Sequence, residues 1–460
     1  MKLDLETYVV FVAFLTSFFA VFLSNGVIVG VPSIANEFGM SNIVQNWVPT
    51  IMFLAVAVFT VPAGQISGKY GVKKTLIMAV LIYLFGSIGA CFSFSTESFM
   101  LFRVVQGAGS AFLNVAAMAM VVSAVKPQNR GKALGFTVTG VYVATSSAPI
   151  ICGFLAYNFG WRSMFYIVIP FLILCIALLW LKIPQDWKTY ENDPIDKIGS
   201  VIYAVGILAF IYGFTILNEF NGVILTIIGL IFLVLFTIWE YREKYPVFNV
   251  HLFKNVKFTS SNIAALCSYL AIMVVTTILN YHFQYVRGWN SQMAGLILII
   301  TPILMVILAP NAGKLSDKFH PQKIAAIGMA IAGCGLAILI FLDANTSLYL
   351  IILAMILEGI GMGLFSSPNM NAIMSSVPPK DAPTASASQA TMRTIGQTMS
   401  LGMLTLVFAW IMGNVPMIPK YYPLLVQSSQ IVCAICTLLC ILAIFASLIG
   451  IKSNDKFSTS

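Results

Sequence analysis

The sequence predicts an all-α integral membrane fold of about fourteen transmembrane helices, and three observations carry that prediction. Over 460 residues the chain is 59% hydrophobic and 9% charged, against roughly 25% charged in an ordinary soluble domain. Its apolar runs follow one another along the whole chain, each close to the roughly 20 residues that a bilayer crossing needs. Its basic residues crowd into alternate connections between those runs.

The spans read as 8–30, 46–66, 74–94, 98–124, 132–155, 163–183, 197–217, 221–241, 258–282, 292–313, 323–342, 346–372, 386–412 and 428–450. The seventh is the least defined, because the stretch 197–241 can be cut differently around Asn218, Glu219 and Asn221. The first run is too long for a signal-peptide core and lacks a small-residue cleavage site, so it is expected to stay as a helix.

Lys and Arg gather on the cytoplasmic side of membrane proteins. With the N-terminus inside, all but five of the 25 basic residues fall in inner segments. Arg162, Arg287 and Lys420 fall outside, and Arg103 and Arg393 fall within spans. Both termini are therefore expected in the cytoplasm of a multi-pass cell-membrane protein. The same asymmetry accounts for the net charge of +9 without nucleic acid, since no Lys/Arg-rich block with interleaved aromatics occurs. The 8 cysteines lie in or beside spans. "CAIC" at 433–436 resembles a redox or metal pair only in spacing and reads as packed free thiols.

An internal repeat organises the chain. "GQISGKYGVKK" (64–74) closes the second span as "GKLSDKFHPQK" (313–323) closes the tenth, aligning Gly64, Gly68 and Lys69 with Gly313, Asp317 and Lys318. "VVQGAGSAFL" (104–113) aligns with "MILEGIGMGLF" (355–365) through Gln106-Gly107-Ala108-Gly109 and Glu358-Gly359-Ile360-Gly361. Two matches at nearly one offset predict a six-helix bundle over 1–183, a linker with two inserted helices over 184–257, and a second six-helix bundle over 258–460. Parallel repeats of this kind are a transporter design, with substrate bound between the halves near the midplane.

These motifs resemble the major facilitator superfamily, and within it the fourteen-helix drug:proton antiporters, similar to bacterial tetracycline and quaternary-ammonium exporters. "GQISGKYGVKK" is similar to that family's loop between helices two and three. "FRVVQGAGSA" is similar to its helix-four motif, whose arginine is implicated in proton coupling. "SSAPIICGFLAYNFGWRSMFYI" (146–167) is similar to its helix-five antiporter motif and the Trp-Arg turn after it. "VGVPSIANEFGMSNIVQNWV" (29–48) is similar to its connection between helices one and two. The resemblance implies a major facilitator fold, with two six-helix bundles and two extra central helices. Three departures stand out: Gly68 where the loop motif has an acid, Ala148 where the helix-five motif has glycine, and Leu23-Ser24-Asn25 where many such exporters carry an acid. The last weighs against cationic drugs.

A proton-coupled antiporter needs a titratable group that can reach the cavity. Of the 16 acidic residues only Glu358 lies deep within a span, near the bilayer midplane. A carboxyl there can gain and lose a proton, or it can simply hydrogen-bond a neighbouring helix. Arg103, one turn before Gln106, can hold a polar network open toward the cavity or snorkel to the outer interface. Arg393 divides evenly between coupling and structure. Gly107, Gly109, Ser146, Ser147, Ala148 and Gly153 let helices approach closely, and Pro149 bends helix five. Gly64, Gly68, Lys69, Gly313, Asp317 and Lys318 suit an inner latch. Weak candidates for the substrate cavity are Asn25, Asn114, Tyr142, Asn280, Asn369, Asn371 and Gln397. His282 reads as interfacial.

The expected activity is export of hydrophobic or amphipathic small molecules, of the multidrug and antibiotic-resistance type, driven by proton antiport with alternating access between the bundles. The alternative is a narrow-specificity metabolite exporter or facilitator. No G-x-x-x-x-G-K-[ST] loop for ATP and no H-E-x-x-H spacing occurs. The reading is therefore a non-enzymatic transporter without metal or cofactor, with the proton as coupling ion. Its expected partners are the lipid bilayer and a small-molecule substrate, with no nucleic acid and no ATP, and it is expected to work as a monomer.

Overall fold

The computed structural model describes residues 5–126, 130–188, 194–316, 318–377 and 382–452. Among them are fourteen helical spans long and apolar enough to cross a bilayer, and no strand. The first six spans are α1 (Leu5–Phe38), α2 (Asn42–Tyr70), α3 (Val72–Cys91), α4 (Thr96–Ala124), α5 (Arg130–Phe159) and a sixth divided into α6 (Ser163–Tyr166) and α7 (Ile169–Leu181). Two more follow, α8 (Lys197–Thr215) and α9 (Phe220–Arg242). The last six are α10 (Val256–Tyr281), a tenth span divided into α11 (Ser291–Leu298) and α12 (Ile300–Ser316), α13 (Pro321–Leu339), α14 (Leu348–Met374), α15 (Ala382–Ile411) and α16 (Tyr422–Lys452).

Each expected span has its helix, including the seventh. Asn218 and Glu219 stand in the turn between α8 and α9, with Glu219 as the residue before α9. The differences are local interruptions. Proline lacks an N–H and cannot complete a helical ladder; Pro170 stands at the start of α7 and Pro302 just inside α12, each beside a break. α10 runs on through a π-turn, His282–Val286. That turn buries His282 near the distal end of the span, where it accepts a 3.1 Å hydrogen bond from Arg287 Nε.

The chain crosses between a basic face, bearing the turns around Lys69 and Lys318, and a distal face, bearing those around Gly39, Gly160, Gly288 and Gly413. Gly39 and Gly413 both adopt positive φ, where glycine carries no Cβ penalty. Polar side chains start several helices: Ser41 accepts from Val44 N, Ser95 and Ser98 form a capping box, and Asn290 accepts from Met293 N.

Within the first six spans α3 and α4 pack closely, as do α2 and α4, and α1 and α5; within the last six the matching pairs are α13 with α14, α12 with α14, and α10 with α15 and α16. The two sets meet where α1 touches α10 and α11, α2 touches α15, and α5 touches α11 and α12. α8 lies over the α2–α15 seam and α9 packs on α8. There Leu54, Ala57, Tyr203, Ile207, Ile211 and Phe236 share a small core.

The hydrogen bonds joining the two sets gather at the distal face. Asn42 Nδ2 donates to Gly413 O, Asn280 Nδ2 to Ile28 O and Gln284 Nε2 to Val29 O, each at 2.8 Å. Tyr281 and Tyr285 donate from their hydroxyls to Asn46 and Gln45, again at 2.8 Å. Every residue from Gly26 to Pro32 in α1 and from Ser400 to Phe408 in α15 is buried. Toward the basic face both helices carry partly exposed side chains, Phe11 and Phe14 in one, Arg393 and Gln397 in the other. The molecule is sealed distally and looser toward its basic face.

Candidate functional site

Among the described residues one arginine and one carboxylic acid lie buried in mid-span, Arg103 in α4 and Glu358 in α14. Glycines place them. An added Cβ on Gly109 would lie 2.7 Å from Tyr83 N, and one on Gly361 would lie 2.5 Å from Ala332 N. An added Cβ on Gly86 would lie 2.8 Å from Gln106 N, and one on Gly335 would lie 3.2 Å from Glu358 N. On the other flank Gly107 sits on Met52 and Ala55 of α2, and Gly359 on Thr301 and Leu304 of α12. Gln106 and Glu358 thus occupy matching slots, each between two helices brought into backbone contact by small residues.

The slots differ in chemistry. In the first, Arg103 is fully buried; its Nε donates to Val48 O at 3.3 Å and its Nη1 to Gln106 Oε1 at 2.8 Å. Gln106 Nε2 donates on to Ser87 Oγ at 2.9 Å, and Ser87 donates to Tyr83 O. Arg103 Nη2 has no hydrogen-bond partner among the described residues. Arg103 therefore does not snorkel to a membrane surface. In this form its partners close around it inside the α2–α3–α4 seam.

In the second slot Glu358 is 3% exposed. Thr301 Oγ1 stands 3.5 Å from its Oε2 and 3.1 Å from Met355 O. Met355 occupies the place that Arg103 holds in the other half, so the cation is missing where the carboxyl is present. Cys433, Cys436 and Cys440 of α16 lie within electrostatic range of Glu358. Among the described residues the one ion pair is Arg162–Glu37, 2.7 Å apart at the distal face. A buried carboxyl without a cation is costly to hold as an ion, which makes this slot the candidate site for a proton.

The remaining expected residues away from the basic face fall into four groups. Asn280 belongs to the distal seal, as do Pro149, whose carbonyl lies against Gly295, and Gly153, whose carbonyl accepts from Ser291 Oγ at 3.1 Å. Ala148 packs beside Gly26 of α1. Asn369 donates to Ser261 O and Asn371 to Ser316 Oγ, joining α14 to its neighbours. Asn25 and Asn114 turn back onto Val21 O and Ser110 O of their own helices. Tyr142, Arg393 and Gln397 are partly exposed in the looser half. Tyr269 of α10 lies against Gly396 of α15, where an added Cβ would come 3.0 Å from its own, and within electrostatic range of Arg393 and Tyr142, so these three helices approach one another there.

At the basic face an added Cβ on Gly64 would meet nothing, and one on Gly313 only Ser367 Cβ at 3.6 Å, so neither mediates tight packing. Gly68 is buried, Lys69 partly so, and Lys318 is exposed. Asp317 lies outside the described residues.

Two features here have no local signal in the sequence. Asp186, beyond α7, accepts from Lys73 N at 2.8 Å and from Trp187 N, and so caps α3, whose own Gly71 offers no side chain. Glu240, which reads as a helix-end acid, is 1% exposed and accepts from Phe248 N at 2.9 Å. Asp196 beside it caps α8 and accepts from Trp239 Nε1. Only chain return from a distance brings these groups together.

The Major Facilitator Superfamily profile matches residues 13–401. Among curated relatives, "Riboflavin transporter RibZ" of Clostridioides difficile is 28% identical, over 82% of this chain and 83% of its own. "Multidrug resistance protein Stp" of Mycobacterium tuberculosis is 25% identical, over 85% of this chain and 74% of its own. Among solved structures, the peptide transporter POT in complex with sulfate has a TM-score of 0.70 at 17% identity, covering 96% of this chain and 95% of that one. A bacterial homolog of the human lysosomal transporter Spinster, inward-facing and unoccupied, has a TM-score of 0.68 at 17% identity, covering 98% and 99%.

Proposed function

For this chain, which belongs to the Major Facilitator Superfamily and is a multi-pass membrane transporter rather than an enzyme, we propose proton-driven export of amphipathic small molecules. The observation that carries the reading is Glu358, a mid-span carboxyl with a threonine hydroxyl and, among the described residues, no cation paired with it. Residues 1–183 and 258–460 act as two bundles that rock about the seams α1–α10, α2–α15 and α5–α11, with α8 and α9 inserted between them in sequence. The basic face is cytoplasmic, because Lys and Arg concentrate there, and the distally sealed form described here is open inward. Cargo enters the looser half between Tyr142, Tyr269 and Arg393, and Glu358 exchanges its proton as the seal opens and closes.

The first experiment is uptake of ethidium and of riboflavin into everted vesicles under an imposed pH gradient, comparing the native chain with Glu358→Gln and, as a control, Glu240→Gln. Gradient-driven uptake lost in Glu358→Gln and kept in Glu240→Gln supports the reading. Uptake unchanged in Glu358→Gln refutes it.

A second reading, a narrow-specificity metabolite transporter, is favoured by the riboflavin-transporting relative and by amide-bearing Asn25 at the place where an acid would favour cations. It differs in cargo: riboflavin moves and ethidium does not.

A further inference from the structure

We propose that Thr301 transmits the protonation state of Glu358 to the distal seal through the break in the tenth span. This rests on the reading that Glu358 exchanges the proton.

Thr301 stands two residues beyond the interruption at Ile299 and immediately before Pro302. Its hydroxyl lies near two acceptors, Met355 O at 3.1 Å and Glu358 Oε2 at 3.5 Å. A hydroxyl has one proton to donate, so it serves one acceptor at a time. Toward an ionised Glu358 it donates to the carboxylate, the stronger acceptor. Beside the neutral acid it donates to Met355 O and accepts the proton of the acid. Each state pulls the first turn of α12 differently.

That pull is transmitted rather than absorbed. An added Cβ on Gly359 would lie 2.7 Å from Thr301 O, so the α12 backbone rests on the α14 backbone with no side chain between them. Across the break, α11 carries part of the seal: Ser291 donates to Gly153 O, and Gly295 sits on the carbonyl of Pro149. A two-state element thus has the proton site at one end and the cross-bundle contact with α5 at the other, as switching through a helix break requires.

The groups facing Glu358 leave this element in control. α12 presents Thr301, α13 presents Gly335, and α16 presents the thiols Cys433, Cys436 and Cys440, with Cys267 of α10 beside Cys440. Among the described residues no charged side chain of α10, α12, α13, α15 or α16 pairs with it. Holding an uncompensated ion there is costly, so the sealed form goes with the neutral acid and ionisation favours opening.

The test is the distance between spin labels at Phe94→Cys and Tyr349→Cys, two exposed distal-face positions on opposite sides of the seal. The full chain is placed in nanodiscs in a Cys267→Ser, Cys334→Ser background. Alkaline buffer is expected to shift the native distances to longer values, and Glu358→Gln to stay short at every pH. Thr301→Val, which keeps shape and loses the hydroxyl, is expected to lose the shift, and Thr301→Ser to keep it. A full shift in Thr301→Val, or its loss in Thr301→Ser as well, overturns the role of Thr301 and leaves Glu358 untouched. A native-like shift in Glu358→Gln overturns the proton-site reading itself.

Discussion

Gln106 and Glu358 hold the same position in the two halves of the molecule, each with its backbone N–H against a glycine of the neighbouring helix, Gly86 in one case and Gly335 in the other. The amide is locked between Arg103 and Ser87, whereas among the described residues the carboxyl has Thr301 alone in hydrogen-bonding range. One slot holds a fixed positive charge and the other a proton-exchanging group. The asymmetry lies in side chains, while the backbone packing repeats.

The fixed slot is expected to be structural. Arg103→Met removes bonds to Val48 O and Gln106 Oε1 and leaves both acceptors buried, a loss of about 1–3 kcal/mol. A clear fall in melting temperature of the purified protein in detergent is the expected readout. Gln106→Glu supplies Arg103 with a carboxylate at the same distance and is expected to melt at or above the native temperature.

The glycine seams are expected to tolerate no methyl group. Gly109→Ala and Gly361→Ala drive a Cβ to 2.7 Å and 2.5 Å from backbone nitrogens, and overpacking against backbone costs about 1–3 kcal/mol. Gly64→Ala, with nothing within 4 Å of the new methyl, is expected to leave folding unchanged. Yield of monodisperse protein by size-exclusion chromatography separates the two outcomes.

The distal seal is built from amides and phenols. Asn280→Ala and Gln284→Ala together remove the bonds to Ile28 O and Val29 O. Each is worth about 0.6 kcal/mol by the average for side-chain bonds inside membranes. The double variant is expected to populate the distally open form several-fold more, read as faster labelling of a cysteine at Ile28 by a membrane-impermeant maleimide.

Asp186 is expected to act as the cap of a helix more than 100 residues earlier in the chain. Asp186→Ala costs about 1 kcal/mol, the usual value for losing an N-cap. Gly71→Ala costs more, because Gly71 has φ +108 and its Cβ would run into the Asp186 carboxyl. Thermal melting of the two variants orders the effects.

Much of this was legible in the sequence, and the parts that were not share a cause. Apolar length marks a span whatever packs against it, so all fourteen spans were readable. Glu358 stood out because a lone carboxyl in an apolar run needs no partner to be noticed. Pro170 and Pro302 interrupt their helices, yet hydropathy averaged over a window passes across both breaks. Asn280 read as a cavity residue because nothing in its own helix reveals that Ile28 O lies opposite. Arg103 read as facing a cavity or a membrane surface, since its true acceptor is a backbone carbonyl of α2 that carries no sequence signature. Asp186 and Glu240 were hidden because linker acids and helix-end acids ordinarily face water.

The most direct measurement is paired proton and cargo flux in proteoliposomes, with a trapped pH dye reporting the proton and ethidium or riboflavin serving as cargo. In the native chain, cargo movement is expected to bring an opposite proton movement. In Glu358→Gln the proton signal is expected to vanish. A proton signal that persists undiminished in Glu358→Gln contradicts proton exchange at Glu358.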